Sequence, residues 1–419
     1  MIIRRDKYLD QLIRKKGNGR VKIVTGIRRS GKTFLLFKLF KHHLLTDGVM
    51  PENIIEIAFD DIRYKELRNA EACYQYVVNA IDPNNPNTHY ILLDEVQLMD
   101  NFVNALNGFL HLDRVDVFVT GSHSRFLSTD IVTEFRGRGD EVRMYPLSFA
   151  EFAQCFEGDK DEAWKQYYSF GGLPYLLHLH DDEEKIRYLQ SLFQEVYLRD
   201  IVERNRVRHR YELEQLIDML ASSVGSLVNP RKLANSFRSL QKSTLSESTI
   251  RDYIRHLEDA FLIAEAKRFN VKGKAYISTP SKYYFEDIGL RNAKLNFRQQ
   301  DEGHIMENII FNELRHRGYA VDVGVVDINE PTEHGTYQKK RVEIDFVANK
   351  GSQRYYIQSA FQMRSRQKES QELRPFLHVQ DSFKKIVIVY DDIKAKRDEN
   401  GIVTMGIKEF LGDEDSLGF

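Results

Sequence analysis

Apolar and polar positions follow two different rhythms along this chain. From residue 21 to about 146, short apolar runs at 21–25, 54–59, 90–93, 115–120 and 141–145 are separated by longer stretches with helical spacing. Runs this short and this continuous predict strands buried on both faces, so the region reads as a mostly parallel α/β sheet. Pro83-Asn84-Asn85-Pro86-Asn87 is a loop by composition. From 148 to about 220 the spacing turns helical, broken at Gly171-Gly172-Leu173-Pro174. Residues 229–282 predict helix, turn, helix and hairpin, the layout of a winged helix. Asn229-Pro230 opens the first of those helices, Ser246-Glu247-Ser248-Thr249 caps the second, and 261–264 starts a strand. From 283 a helix at 305–317 and strands at 319–325, 342–348, 355–359 and 385–390 predict a second α/β unit. A frayed tail is expected around Gly412-Asp413-Glu414-Asp415. The expected domains are therefore a parallel-sheet core at 1–147, a helical extension at 148–220, the winged helix at 221–282, the second α/β unit at 283–395 and the tail at 396–419.

The junction after the first apolar run carries the most specific chemistry. Gly26-Ile27-Arg28-Arg29-Ser30-Gly31-Lys32-Thr33 stands between a strand and a helix and fits G-x-x-x-x-G-K-[ST], a phosphate-binding loop. Its glycines let successive backbone N–H groups and the helix N-terminus point at one anion. Lys32 is placed to reach the β- and γ-phosphates, and the Thr33 hydroxyl to reach Mg²⁺. The eight residues of the loop, with Phe34 directly after it, form the expected ATP contact set. Arg28 and Arg29 contribute backbone N–H groups; where their side chains face is open.

Binding becomes hydrolysis only with further groups. The apolar run at 89–93 ends in Asp94 and Glu95. Asp94 is placed to hold a Mg²⁺-bound water, and Glu95 to polarise the attacking water as general base. The next run ends in Thr120-Gly121-Ser122, where Thr120 or Ser122 reads either as a sensor of the γ-phosphate or as an ordinary strand end. Arg136-Gly137-Arg138 precedes the last strand. Arg138 reads either as a transition-state arginine, in its own or a neighbouring subunit, or as a surface residue. A neighbour's arginine would make the working form a homo-oligomer.

Composition narrows the setting. With 419 residues, 42% hydrophobic and 29% charged, the chain suits two or three globular domains. No apolar stretch approaches a membrane span, and the N-terminus has no secretory pattern. Cys73 and Cys155 are isolated, which argues against a disulfide framework or a structural zinc and suits a reducing cytoplasm. Net charge is −1, so the chain as a whole is not a polyanion binder. Residues 204–282 nevertheless hold 15 Lys/Arg against 8 Asp/Glu, a local excess of seven. This reads either as a footprint for double-stranded DNA or as a solvated face. Arg251 and Arg255 stand four apart there, on one face of a helix.

The loop, Leu92-Leu93-Asp94-Glu95-Val96-Gln97, Thr120-Gly121-Ser122-His123-Ser124 and Tyr145-Pro146-Leu147-Ser148-Phe149 together resemble the prokaryotic AAA-type ATPase family, whose members carry a C-terminal domain of unknown function. Gly171-Gly172-Leu173-Pro174, Tyr197-Leu198-Arg199-Asp200-Ile201, the run Lys282 to Arg291 and Gly303-His304-Ile305-Met306-Glu307-Asn308 extend the resemblance over nearly the whole chain. His123 departs from the Asn often found at that place, which weakens a sensor role there. The resemblance implies an AAA-like core, a winged-helix middle and a C-terminal fold like that of restriction endonucleases. Such a nuclease needs a helix Glu, a strand Asp, then Glu-x-Lys on the next strand. Glu307 and Asp345 fit the first two requirements, but Gln358 and Ala360 stand where Glu and Lys should be. Gln binds a hard cation weakly and Ala cannot assist a water, so the module reads as a docking surface that has lost its chemistry.

The expected function is a Mg²⁺-dependent ATPase that couples nucleotide state to the winged helix and the nuclease-like module. The alternatives are an ATP-switched nucleic-acid-binding regulator with little turnover and an ATP-dependent nuclease.

Overall fold

The computed structural model describes residues 3–122, 137–241, 245–298, 301–331, 337–363 and 365–418. They form two compact units: Met1–Pro146 with Asp259–Phe261, and Leu147–Glu258 with Leu262–Phe419. No helix among the described residues is long and apolar enough to cross a membrane.

In the first unit, β1 (Val21–Thr25), β2 (Ile54–Ala58), β3 (His89–Asp94), β4 (Val115–Gly121) and β5 (Gly139–Arg143) form a parallel sheet in the order β2-β3-β4-β1-β5. All five positions of β1 are buried, Lys22 and Thr25 included, as a central strand with helices on both faces requires. One face packs on Leu35, Leu36 and Phe40 of the helix that follows the loop, which runs on to residue 46 through a π-helical stretch at Leu35–Phe40. The other face packs on Val77, Leu106 and Phe109. The one charge on β1, Lys22, is buried and ion-paired with Asp116 of β4. Losing either partner of such a pair costs about 3–5 kcal/mol.

In the second unit, nine strands among the described residues form one sheet. They are β6 (Leu227–Val228), β7 (Ile263–Asn270), β8 (Ala275–Phe285), β9 (Ala320–Pro331), β10 (Tyr337–Lys350), β11 (Gln353–Ala360), β12 (Lys384–Val389), β13 (Lys396–Arg397) and β14 (Val403–Gly406). The order is β13-β14-β12-β11-β10-β9-β7-β8-β6. The hairpin β7–β8 joins the C-terminal strands through a parallel pairing of Arg268, Phe269 and Asn270 with Val323, Gly324 and Val325. The expected boundary at 282/283 therefore falls inside β8. Nor is the tail frayed. β14 pairs with β12, β13 with β14, and Phe410, Leu411 and Leu417 are buried. Its apolar positions alternate too briefly to announce a strand.

Two motifs distant in sequence interlock in this unit. Asp287 caps the helix Ile288–Lys294 by accepting from Leu290 N, and its other oxygen accepts from Gly172 N at 2.8 Å. A Cβ at Gly289 would overlap the Phe170 carbonyl, and one at Gly171 would overlap the Asp287 carboxylate. The backbone approach is closer than any side chain allows.

Candidate active site

The chain leaves β1 at Gly26, whose φ of 142° is a conformation that glycine adopts freely. A Cβ here would overlap the Met144 carbonyl just beyond β5. Arg29 (φ 65°) and Gly31 (φ 98°) complete the curl, and the helix begins at Lys32. Ser30 is fully buried inside the curl, and its Oγ has no hydrogen-bond partner among the described residues. Ile27 is buried, Arg29 is exposed, and Phe34 is 38% exposed beside the loop. Lys32 is buried, and its Nζ donates to the carbonyls of Gly26 and Ile27, both at 3.0 Å. Burial pushes its pKa down to about 8, against the attraction of Glu95 and Asp94.

Three elements meet at Asp94, at the end of β3. Its Oδ2 accepts from Thr33 Oγ1 at 2.8 Å and its Oδ1 from Thr120 Oγ1 at 2.5 Å. Burial pushes the carboxyl up to about 6 in spite of these bonds. Glu95 follows with φ 52°, a left-handed conformation whose cost is on the order of 1–3 kcal/mol. Its N–H donates to Thr120 Oγ1 at 2.9 Å, and its Oε2 accepts from Ser122 Oγ at 3.0 Å and from Gln97 Nε2. Gln97 Nε2 also reaches Ser122 Oγ at 3.3 Å. The arrangement thus offers an anion-sized curl, a hydroxyl–carboxylate pair beside it, and a second carboxylate held by side chains. Sequence reasoning singled out Thr120 and Ser122; Gln97 stood there only as the end of the motif Leu92–Gln97, with no role of its own.

Arg138 does not join this group. Its carbonyl accepts from Val21 N at 2.9 Å, at the start of β1, whereas the loop lies at the other end. Parallel strands gather their C-terminal ends at one edge, so Arg138 stands about 13 Å from the loop along a strand of five residues. The arginine at the loop's edge is Arg143, the register partner of Thr25. Its guanidinium lies 3.8 Å over the Phe261 ring, and its charge acts on Lys32. His123, Ser124 and Arg136 fall outside the described residues.

The second unit gathers a separate buried cluster. Glu307 of the helix Glu302–His316 and Asp345 of β10 lie on either side of Lys282 from β8, 3.0 and 3.4 Å from its Nζ, with Glu343 at 2.7 Å. Tyr284 Oη donates to Glu307 at 2.6 Å. Gln358 donates to Glu372 at 2.9 Å, and its Oε1 accepts from Asp345 N at 3.3 Å. Burial opposes the charge of Lys282, but Glu307, Asp345 and Glu343 together hold its pKa above the ordinary lysine value. A lysine therefore does stand among these carboxylates, and it comes from β8 rather than from the position of Ala360. Among the described residues, no group of three or more His, Cys, Asp or Glu is arranged to hold a metal ion.

Comparison with known proteins agrees with the parallel sheet and its loop. Residues 18–153 match a family model described as an AAA domain, and 161–301 and 302–410 match two models each described as a domain of unknown function. An uncharacterized protein of Haemophilus influenzae is 34% identical over 392 residues, spanning 92% of this chain and 93% of that one. An uncharacterized protein of Methanocaldococcus jannaschii is 29% identical over 372 residues, spanning 84% and 76%. Among solved structures, a Walker-type ATPase of Pyrococcus abyssi aligns with a TM-score of 0.49 and 15% identity, over 70% of this chain and 96% of that one. The first unit is an α/β domain whose residues 18–153 match the AAA-domain model. The chain belongs to the same family as the Haemophilus protein.

Proposed function

We propose that this protein binds ATP with Mg²⁺ in the loop 26–33 and hydrolyses it. The observation that carries the reading is the meeting of Thr33, Asp94 and Thr120 beside the loop, with Glu95 next in the chain. The orphaned Ser30 hydroxyl inside the curl fits a ligand with acceptor oxygens. The backbone of Gly26, Ile27, Arg28, Arg29, Ser30 and Gly31 wraps the phosphates, and Phe34 borders the nucleotide. Lys32 exchanges its two loop carbonyls for phosphate oxygens. Thr33 and Asp94 would hold Mg²⁺, which neutralises charge on the β- and γ-phosphates. Glu95, once released by Gln97 and Ser122, accepts the proton of the attacking water. Arg138, at the strand end away from the loop, would act only on a neighbouring subunit. Removing a general base costs about 10²–10⁴-fold in rate. Phosphate release by Glu95→Gln should fall at least 100-fold while ATP binding persists, and Lys32→Ala should lose binding. No turnover by wild type, or full turnover by Glu95→Gln, would sink the assignment.

A second reading concerns the other unit. The helices Pro230–Gln241 and Glu247–Asp259 with β6, β7 and β8 follow a winged-helix order, and strands β6-β8-β7 lie side by side. No Asp or Glu occurs from 266 to 285, whereas Lys267, Lys272 and Lys274 are exposed there. Arg251 and Arg255 pair with Glu247 and Asp252 on their own helix. Exposed pairs of this kind are worth under about 1 kcal/mol and exchange readily for phosphate. This unit therefore presents a face for double-stranded DNA. The succession of helix Glu302–His316, strands β9, β10 and β11, helix Arg366–Leu377 and β12 supports a nuclease-like scaffold, with Lys282 closing its acidic cluster. Two free cysteines suit the cytoplasm.

A further inference from the structure

β9 and β10 outrun the rest of their sheet. β7 pairs with β9 only at Val323–Val325, and β11 pairs with β10 only from Phe346 onward. The pairs from Arg341↔Asp327 to Tyr337↔Pro331 have no third strand beside them among the described residues. They form a two-stranded arm about 15 Å long. One of its faces is covered by the helix Arg366–Leu377, since Ile328 is buried in one cluster with Leu373 and Phe376, and Glu330 pairs with Arg374. The face of Tyr337, Lys339 and Arg341 is open. All five β10 residues of the arm, 337–341, are exposed, and Tyr337 is 76% exposed. Strand alternation puts Tyr337, Lys339 and Arg341 on one face and Lys340 on the other.

The turn between β7 and β8 is fastened to the foot of this arm. Asn270 Nδ2 donates to Asp327 Oδ2 at 3.1 Å, and Lys272 Nζ donates to the Asp327 carbonyl at 2.9 Å. Lys272 and Lys274 are exposed there. Five cations (Lys272, Lys274, Lys339, Lys340 and Arg341) thus gather on two joined hairpin ends. Against them stand Asp327, paired with Arg341 at 3.0 Å, and Glu330, 3.3 Å from Lys340. These exposed pairs are cheap to exchange. Lys339 and Lys274 have no ion pair among the described residues.

We infer that the β9–β10 arm enters a groove of duplex DNA as a β-ribbon, with the β7–β8 turn on the flanking phosphates. The inference rests on the DNA reading above and adds an element that lies outside the helices and the basic segment 204–282. A two-stranded ribbon fits the major groove, about 12 Å wide, whereas a strand inside a sheet does not. Lys339 and Arg341 stand about 6.7 Å apart, a spacing that lets both meet the phosphates that each DNA strand carries every ~3.4 Å of helix axis. Tyr337 supplies an apolar ring at the end of the same face.

Fluorescence anisotropy of the full chain with a mixed-sequence 25-base-pair duplex in a salt series tests the inference. Each phosphate contact contributes about 0.9 to the slope of log affinity against log salt. The triple variant Lys339→Ala, Lys340→Ala, Arg341→Ala should lower the slope by about 2–3 and weaken binding at least tenfold at 100 mM salt. Lys339→Arg with Lys340→Arg should preserve both values, and ATP turnover should be unchanged in every arm variant. If wild type binds duplex and the triple variant matches it, the arm is overturned while the winged-helix reading stands. If wild type binds no duplex at any salt, both fall.

Discussion

Asp287 shows how a single buried group ties stability to pH. Burial pushes its carboxyl up to about 6 from the ordinary 3.8, although Gly172 and Leu290 donate backbone N–H groups to it. The folded state therefore holds this proton more tightly than the unfolded chain does. The stability it contributes is fully present below about pH 4 and is lost as pH rises through 6, by on the order of 2–3 kcal/mol. Urea midpoints from pH 4 to 7 should decline for wild type. Asp287→Asn should be less stable at pH 4 and lack that part of the slope; an unchanged slope would refute the assignment. Individual residues differ in how plainly the sequence announces them. The loop residues and the pair Asp94–Glu95 are legible because their spacing is local. Lys282 is not: it meets Glu307 and Asp345 from positions 25 and 63 residues away, so no spacing rule reaches it. Arg138 misleads for the opposite reason. It is near β5 in sequence but lies at the strand end away from the loop.

Elements of the first unit could be read almost to the residue, because β1 to β4 are predominantly apolar runs between helices. β5 begins two residues earlier than its apolar pattern suggests, since Gly139 and Asp140 pair with Val21 and Lys22 without being apolar. In the second unit the hairpin and the later strands are legible singly, but their union is not. Parallel pairing of β7 with β9 leaves no mark in either strand. The interlock of the Gly171–Gly172 turn with the helix that begins at Ile288 was visible only as two glycine-bearing motifs. Its tightness makes a prediction. Gly289→Ala places a methyl against the Phe170 carbonyl, a backbone atom that cannot step aside. It should cost about 2–4 kcal/mol, more than the overpacking of a core. Alanine at Gly351, which has open space but φ 59°, should cost only about 1 kcal/mol. Equal denaturation midpoints for the two variants would contradict the interlock.

On the scale of the whole molecule, the two units differ in what a ligand can do to them. Mg·ATP at about 100 times its dissociation constant should stabilise the first unit by about 2.7 kcal/mol. For a domain of its size this is a rise of about 5–10 °C in the melting transition. Scanning calorimetry should show the rise in wild type and not in Lys32→Ala; a rise in both would place the nucleotide elsewhere. The second unit carries a different lesson, because its nine-stranded sheet runs across the junction between the regions 161–301 and 302–410. Besides the buried Lys282 cluster, the two are joined by a row of backbone hydrogen bonds from Arg268–Asn270 to Val323–Val325, and that row is indifferent to side chains. A lineage that exchanged either region for another would leave β7 or β9 with a bare edge, open to pairing with any passing strand. The two regions are accordingly expected to be inherited as a pair, and a gene carrying one alone should encode something else along that edge to cover it.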